Sequence, residues 1–425
     1  MHRSLRFAPL LIGLFFFNPE GAAMAATASG TGPAATAVAA KGCATLTSRL
    51  AAIPGGGPAF LPSYDSEHGV GKPLEPALAT AAFTYDNALA AIALTACGKA
   101  EAARRIGDAL LAAVDHDRMR SALGGGRLRN TYRAGRQDER PVPPNGWWDA
   151  RQNRWLEDAY QVGTATGNVA WAALALLTLA ERTGEPRYAD GAARLGSWVA
   201  ETMADERTPA GFAGGLHGFE RAAEPLGWKA TEHNTDLAAV FRRLAPGARQ
   251  DWRAREATAR GFLEAMWDEE RGCFLTGTLP DGTTPNRATS GLDAQLWPLL
   301  LPEAPAHWRR ALAYAERAHG VPGGFDFNDD RDGLWVEGTA QAALVYRALG
   351  RGEEAERLLA VVGGQFSPGG YLWATREPQV TTGLAIGPAS RTDDFLYYRQ
   401  PHLGATAWAV LAATGWNPFT GERVP

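Results

Sequence analysis

The sequence predicts an all-α protein, a single (α/α)6 toroid of six inner helices enclosed by six outer ones, and three observations predict it. The segments Tyr85 to Cys97, Asn168 to Ala180, Glu232 to Leu244, Leu292 to Leu301, Glu337 to Leu349 and Gly404 to Thr414 are apolar on nearly every side. A helix without a polar face has to be buried all round. Their partners, Lys99 to Asp115, Pro186 to Met203, Asp251 to Trp267, Pro305 to His319 and Gly352 to Val362, are amphipathic, and Lys41 to Ala51 remains to close the ring. Lastly, Gly98, Gly184, Gly350 and Gly415 follow inner-helix ends, where a left-handed cap is usual, while Pro186 and Pro305 stand at outer-helix starts.

Taken in order, the elements agree with that plan. Arg3 and Arg6 precede an apolar run from Phe7 to Phe17, and Ala23-Met24-Ala25 offers small residues at the cleavage spacing. Residues 1–25 therefore read as a secretory signal, which implies a periplasmic or secreted protein. The run, about 11 residues, is shorter than the roughly 20 needed to span a bilayer, so no membrane span is expected after cleavage. Residues 26–40 carry Ala, Thr, Gly, Ser, Pro and one Val without a periodic apolar face, and read as a flexible leader before a single domain of residues 41–425. In Lys99 to Asp115, Ile106, Ala109, Leu110 and Ala113 share a face while Lys99, Glu101, Arg104, Arg105 and Asp108 take the others. That is a surface helix. Six such pairs are too many for a four-helix bundle, and their lengths are too irregular for an open solenoid.

Composition narrows the partners. A formal net charge of −4 with scattered Arg residues leaves no basic stripe, which argues against nucleic acid as a partner. Fourteen Trp residues suit a ligand with flat apolar faces, such as a sugar ring, although a core also uses Trp. Cys43, Cys97 and Cys273 fit no zinc spacing; Cys43 and Cys97 lie on N-terminal helices expected to be neighbours and are the expected disulfide. Asn328-Asp329-Asp330-Arg331-Asp332-Gly333 opens like a calcium loop, but the twelfth position is Thr339 and the nearest acid, Glu337, falls two residues early. The glycines at 124–126 and 214–215 lack the context of a phosphate loop. Neither a metal nor a cofactor is expected, and nothing in the pattern sets an oligomeric state.

Several segments carry a resemblance. Thr84-Tyr85-Asp86-Asn87 opens the first inner helix, Thr231-Glu232-His233-Asn234-Thr235-Asp236 the third, Leu292-Asp293-Ala294-Gln295 the fourth, Glu337-Gly338-Thr339-Ala340-Gln341 the fifth, and His402-Leu403-Gly404-Ala405-Thr406 the sixth. With the helix grammar, these segments make residues 41–425 resemble the (α/α)6-toroid glycan-active enzymes: inverting glycosidases, unsaturated-uronide hydrolases, some polysaccharide lyases and sugar epimerases. The resemblance implies a carbohydrate substrate. It transfers no catalytic residue, so roles are argued from position.

Inner helices of a closed ring run the same way, so their N-termini converge on one mouth. Tyr85, Asp86, Asn168, Glu232, His233, Asp236, Asp293, Gln295, Glu337, Gln341 and His402 gather there, and preceding loops add Trp147, Trp148, Asp149, Trp228, Asp326 and Trp335. Acids and amides at helix starts are also ordinary capping groups. Capping does not require a second polar residue one turn further in, as at Asp236 and Gln341. Glu232 and Asp236 share a helix face, and two acids on one face raise at least one pKa.

Glycoside hydrolysis needs a protonated acid and an ionised carboxylate. Glu232 is the expected general acid; Asp86 or Asp293 is the expected base, with Glu337 in reserve. His233 and His402 would position hydroxyls, and Tyr85, Trp147, Trp148, Trp228 and Trp335 would stack on sugars. A mouth of carboxylates, amides and aromatic faces suits a neutral or basic glycan, and its lack of neutralising cations favours hydrolysis of an uncharged glycan over lysis of a uronate. Two rival readings are a lyase or epimerase using His233 and His402, and a non-catalytic glycan-binding protein of a polysaccharide export system.

Overall fold

The computed structural model describes residues 32–69, 73–118, 127–219, 222–246, 251–390 and 392–424. The expected signal segment lies outside the described residues. Twelve helices longer than one turn occur among those described: α1 (Pro33–Ala52), α2 (Thr84–Ala96), α3 (Ala100–His116), α4 (Thr166–Thr183), α5 (Pro186–Thr202), α6 (Thr231–Leu244), α7 (Trp252–Met266), α8 (Leu292–Leu296), α9 (Arg310–Ala318), α10 (Val336–Ala348), α11 (Gly352–Gly363) and α12 (Leu403–Thr414).

Two boundaries differ from expectation. Helix α1 starts at Pro33, so residues 33–40 of the expected leader are helical; Ala35, Val38, Gly42, Leu46 and Leu50 form its buried stripe, whose first members are small and weakly apolar. Alanine is the best helix former, so the turn needs little side-chain help. Helix α8 is short because Pro298 has no N–H to continue it, and the chain tightens into a 3-10 turn over Trp297–Leu300.

The even-numbered helices pack on one another in series: α2 on α4, α4 on α6, α6 on α8, α8 on α10, α10 on α12, and α12 back on α2. Each odd-numbered helix from α3 to α11 lies against the helix before it, and α1 lies against α12 and α11. The core follows that order, since α2, α4, α10 and α12 are buried almost along their length. Gly98, Gly184, Gly350 and Gly415 take φ of 70°, 72°, 76° and 67° just past inner-helix ends, a region that L side chains resist. The expected disulfide joins Cys43 of α1 to Cys97 at the end of α2, while Cys273 is a buried free thiol. No helix among the described residues is long and apolar enough to cross a membrane.

The protein is mostly helical, but not purely α. Strands of two or three residues pair antiparallel in the connections, such as Ala81–Phe83 with Thr131–Arg133 and Pro401–His402 with Leu372–Trp373. They seat the inner helices. The first N–H of every inner helix has no intrahelical acceptor. Thr84, Thr166, Thr231, Leu292, Val336 and Leu403 donate theirs to the carbonyls of Asn130, Gly214, Thr276, Phe327, Ala374 and Ser63, in that order.

The fourth helix residue completes the repeat in five of the six. Asn87, Asn234, Gln295, Thr339 and Thr406 accept from the backbone N–H of Leu61, Phe212, Phe274, Phe325 and Leu372, at 2.8 to 3.1 Å. Second and third positions are thereby left to face the mouth.

Candidate active site

Because the inner helices share one register, their second residues form a ring of Tyr85, Gly167, Glu232, Asp293, Glu337 and Gly404. One turn deeper the sixth residues are Leu89, Trp171, Asp236, Trp297, Gln341 and Trp408. Trp171, Trp297 and Trp408 pack with ring centroids 5.4 to 5.9 Å apart, and Phe419 from the C-terminal segment packs on the first two. These indoles fill the interior beneath the site.

Two groups of polar side chains stand at this level. The first lines a cavity of about 530 Å³, where Trp228, Glu232, His233 and Asp293 meet Asn130, Tyr160, His217 and the segment Thr382 to Pro388. Trp228 lies against His233, with centroids 5.4 Å apart. Gly167 leaves room for that imidazole, since a Cβ there would meet His233 Nε2 at 2.7 Å. Lys229 is also on the wall, but its ammonium is turned to Asp205 Oδ2 at 3.1 Å and donates to the carbonyls of Arg207 and Pro209 at 2.8 and 2.7 Å.

The second group centres on His402. Its Nε2 lies 3.4 Å from Asp86 Oδ2, and its Nδ1 lies 3.5 Å from Glu337 Oε2. Nδ1 also accepts from the Ala405 N–H at 3.3 Å, which caps the start of α12. Tyr85 donates to Glu337 Oε1 at 2.7 Å and accepts from the Trp408 indole at 2.8 Å. Tyr64 stacks on the His402 ring at 5.1 Å.

Burial dominates the electrostatics here. It pushes Glu232 up to about 7, and Glu337 to about 7 as well, where Asp86 adds to the rise and His402 opposes it. Asp293 is held well above the usual carboxylate range by burial and by Glu337 and Glu232. Asp236 is held there by burial and by Glu232 and Asp293. Burial lowers His233 to about 4, which leaves it neutral at pH 7. For His402 burial also works against the cation, but Asp86 and Glu337 outweigh it and the imidazolium is favoured.

The positions of the remaining expected site residues differ. Gln295 is fully buried and exchanges bonds with the Phe274 backbone, so it serves the helix register and not a ligand. Trp147, Trp148 and Asp149 lie on a hairpin paired with Arg154–Leu156 and do not line the cavity; Asp149 accepts from the Arg151 and Gln152 amides and holds the turn. Trp335 is buried before α10 against Phe327 and Tyr397, with centroids 4.9 and 5.4 Å away. Asp326 accepts from the Phe327 and Gly333 amides in its own loop. It brings an oxygen within 4.8 Å of Asp330 and Asp332, the one part of the calcium-like loop with a ligand-like spacing, but Asp330 and Asp332 accept from Thr381. Asn168 stands behind the wall and donates to Asn130 Oδ1 at 2.7 Å.

The sequence does not point to Tyr64, Asn130, Tyr160 or His217. All four come from connections, where no periodicity marks a facing side chain. Two of them stand where the chain seats an inner helix: Tyr64 follows Ser63, whose carbonyl seats α12, and the Asn130 carbonyl itself seats α2.

No protein-family model matches the chain, and no curated protein matches it. Solved structures do. A glycosidase variant aligns with a TM-score of 0.60 at 15% identity, covering 89% of this chain and 96% of its own. A novel alpha-amylase from Clostridium perfringens aligns at 0.57 and 10% identity, covering 88% and 96%. A sugar epimerase from a ruminal bacterium aligns at 0.58 and 12% identity, covering 88% and 98%. Identities this low carry the fold alone. The fold of this chain is thus similar to that of glycan-active enzymes over nearly its whole described length.

Proposed function

We propose that this chain is an exported glycoside hydrolase on an (α/α)6 toroid, cleaving a glycan free of acidic groups with inversion. The observation that carries the reading is the unequal setting of two near-neutral carboxyls. Glu232 lines the cavity and its proton is retained by burial, which suits donation to a leaving oxygen. Glu337 has a hydroxyl donor in Tyr85 and the His402 imidazole beside it, both of which favour its ionised form, and this suits a base. Inversion requires water between the two, a carboxyl separation of roughly 6.5 to 9.5 Å. Their helices, α6 and α10, have α8 between them, and Asp293 of α8 is coupled to both carboxyls.

The absence of acidic groups in the substrate follows from the wall. Uronates need cations, and the ammonium of Lys229 is already taken by Asp205 and two carbonyls. The Cys43–Cys97 disulfide and the apolar run at Phe7 to Phe17 support a periplasmic or secreted location.

A second reading has its own observation. Burial lowers His233 to about 4 while Asp86 and Glu337 raise His402, an unequal pairing that proton removal and return on a sugar would use.

The test compares the parent with Glu232→Gln and Glu337→Gln on a panel of unsubstituted and amino oligosaccharides. Release of reducing ends by the parent, with loss of at least a hundredfold in both variants, supports hydrolysis. Incorporation of solvent deuterium into a free sugar without bond cleavage would move the assignment to epimerisation. Binding without either reaction would leave a glycan-binding protein.

A further inference from the structure

Behind the cavity wall lies a set of polar side chains that the proposed hydrolysis leaves unused. Asp236 and Gln341, at the sixth positions of α6 and α10, are fully buried. Both carboxyl oxygens of Asp236, both amide atoms of Gln341 and Asp293 Oδ1 have no hydrogen-bond partner. Asp293 couples the group to the cavity: it lines the wall, it interacts with Asp236, and the Gln341 amide lies beside it without closing a well-formed bond. Buried acceptors without donors are rare and unfavourable. Here they suit a donor that arrives with a ligand.

The charge balance says what kind of donor. The neighbours of Glu232, Asp236, Asp293 and Glu337 are chiefly other carboxyls, with His402 shared between Asp86 and Glu337 and Lys229 engaged elsewhere. A sugar hydroxyl brings one hydrogen and no charge. An ammonium brings three N–H donors and the missing positive charge, matching the Asp236 carboxylate, Asp293 Oδ1 and Gln341 Oε1. The Trp171 indole N–H is turned toward Asp236 and favours its ionised form, but it brings a single hydrogen and no charge.

We infer that the site recognises a sugar bearing a free primary amine, a hexosamine unit without its acetyl group, whose ammonium sits against Asp293 and Asp236 with Gln341 behind. The inference rests on the cavity being the sugar site, and it takes the basic of the two glycan classes that the acidic mouth suits. Glu232 and Glu337 keep their acid and base roles. Burial and the neighbouring carboxyls raise the proton affinities of Asp236 and Asp293 in the free protein, and an arriving ammonium lowers them, so binding is expected to release protons.

Titration calorimetry on the full protein with glucosamine, glucose and N-acetylglucosamine, in two buffers of different ionisation enthalpy, tests this. Glucosamine is expected to bind at least tenfold more tightly than the other two, with proton release, and Asp236→Asn and Gln341→Leu are expected to cut that preference below threefold. Equal or tighter binding of glucose overturns the inference, as does a preference that survives in Asp236→Asn. If neither variant folds, the three-sugar comparison and the buffer-dependent heat on the parent decide alone. Hydrolysis assays run in parallel separate the two claims. Turnover without amine preference removes the amine site and leaves the hydrolase, whereas tight glucosamine binding without turnover does the reverse.

Discussion

The Tyr85 hydroxyl of α2 donates to Glu337 Oε1 of α10, at 2.7 Å, past α12, which packs between the two helices. Trp408 fixes that hydroxyl from the other side, so its lone donor hydrogen points at the carboxylate. Tyr85→Phe removes the donor and keeps the ring. A hydrogen bond to a charged group contributes about 1.5 to 3 kcal/mol, so kcat should fall about 10- to 100-fold. Losing a bond that favours the ionised form raises the Glu337 pKa, and the acidic limb of the kcat profile should move to higher pH. A limb that stays in place would remove Glu337 from the role of base.

Gly404 is the second residue of α12, and a Cβ there would meet Asp86 Oδ1 and Glu337 Oε2, both at 2.7 Å, and His402 Cε1 at 2.8 Å. Gly404→Ala therefore forces apart the three groups at the centre of the second cluster while leaving the helix a better former. Activity should drop about 100-fold, since small displacements of reacting groups are costly. Far-ultraviolet circular dichroism should remain that of the parent. Retained activity would show that the cluster can open without consequence.

Protonation should make stability depend on pH in a particular direction. Glu232 and Glu337 are raised from 4.5 to about 7, so the folded state binds their protons more tightly than the unfolded chain does. The stability they contribute is complete below 4.5 and is lost as pH rises through about 7. His402, also raised, has the same sign above 6.5. His233, lowered to about 4, has the opposite sign and costs stability as pH falls below 6.5. Asp205 and Asp281, both lowered to about 2, add stability that disappears in acid. The melting temperature should therefore fall by a few degrees between about pH 6 and pH 8, and Glu232→Gln should flatten that slope. A rising melting temperature over the same interval would contradict the burial of these carboxyls.

Gln295 tests the division between register and site. Its amide accepts from the Phe274 N–H at 2.9 Å and donates to the Phe274 carbonyl at 2.7 Å. Gln295→Leu leaves two buried backbone groups unpaired and should cost about 2 to 4 kcal/mol in denaturant unfolding, from roughly 1 to 3 per group with partial relaxation. The KM for a sugar substrate should stay within about twofold. A large rise in KM with little loss of stability would return Gln295 to the ligand.

The inner helices are legible because a helix apolar on all faces has a single place to go, and their starts fall within two residues of those expected. Less legible is which polar residue at a start faces the mouth. Asp293 and Gln295 are two apart and both polar, yet one lines the cavity and the other holds a strand. That difference depends on the rotation of α8 fixed by the Leu292 N–H and the Phe327 carbonyl, a long-range bond that no local pattern records. Trp148 and Trp155 are opposite one another on a hairpin and exposed, whereas Trp335 is buried; indole content alone does not distinguish those settings. The helical start at Pro33 escapes the sequence because alanines carry a helix without the periodic bulky residues by which an amphipathic segment is recognised.

The placement of α1 bears on how the chain is made. Helix α1 finds its main neighbours in α11 and α12, made about 300 residues later, and the Ser63 carbonyl waits for the N–H of Leu403. Until those two helices emerge, the described helices that α1 rests on are α2 and α3. The Cys43–Cys97 bond can form as soon as α2 exists. It works as a bookmark, keeping the start of the chain at its page until the final helix arrives.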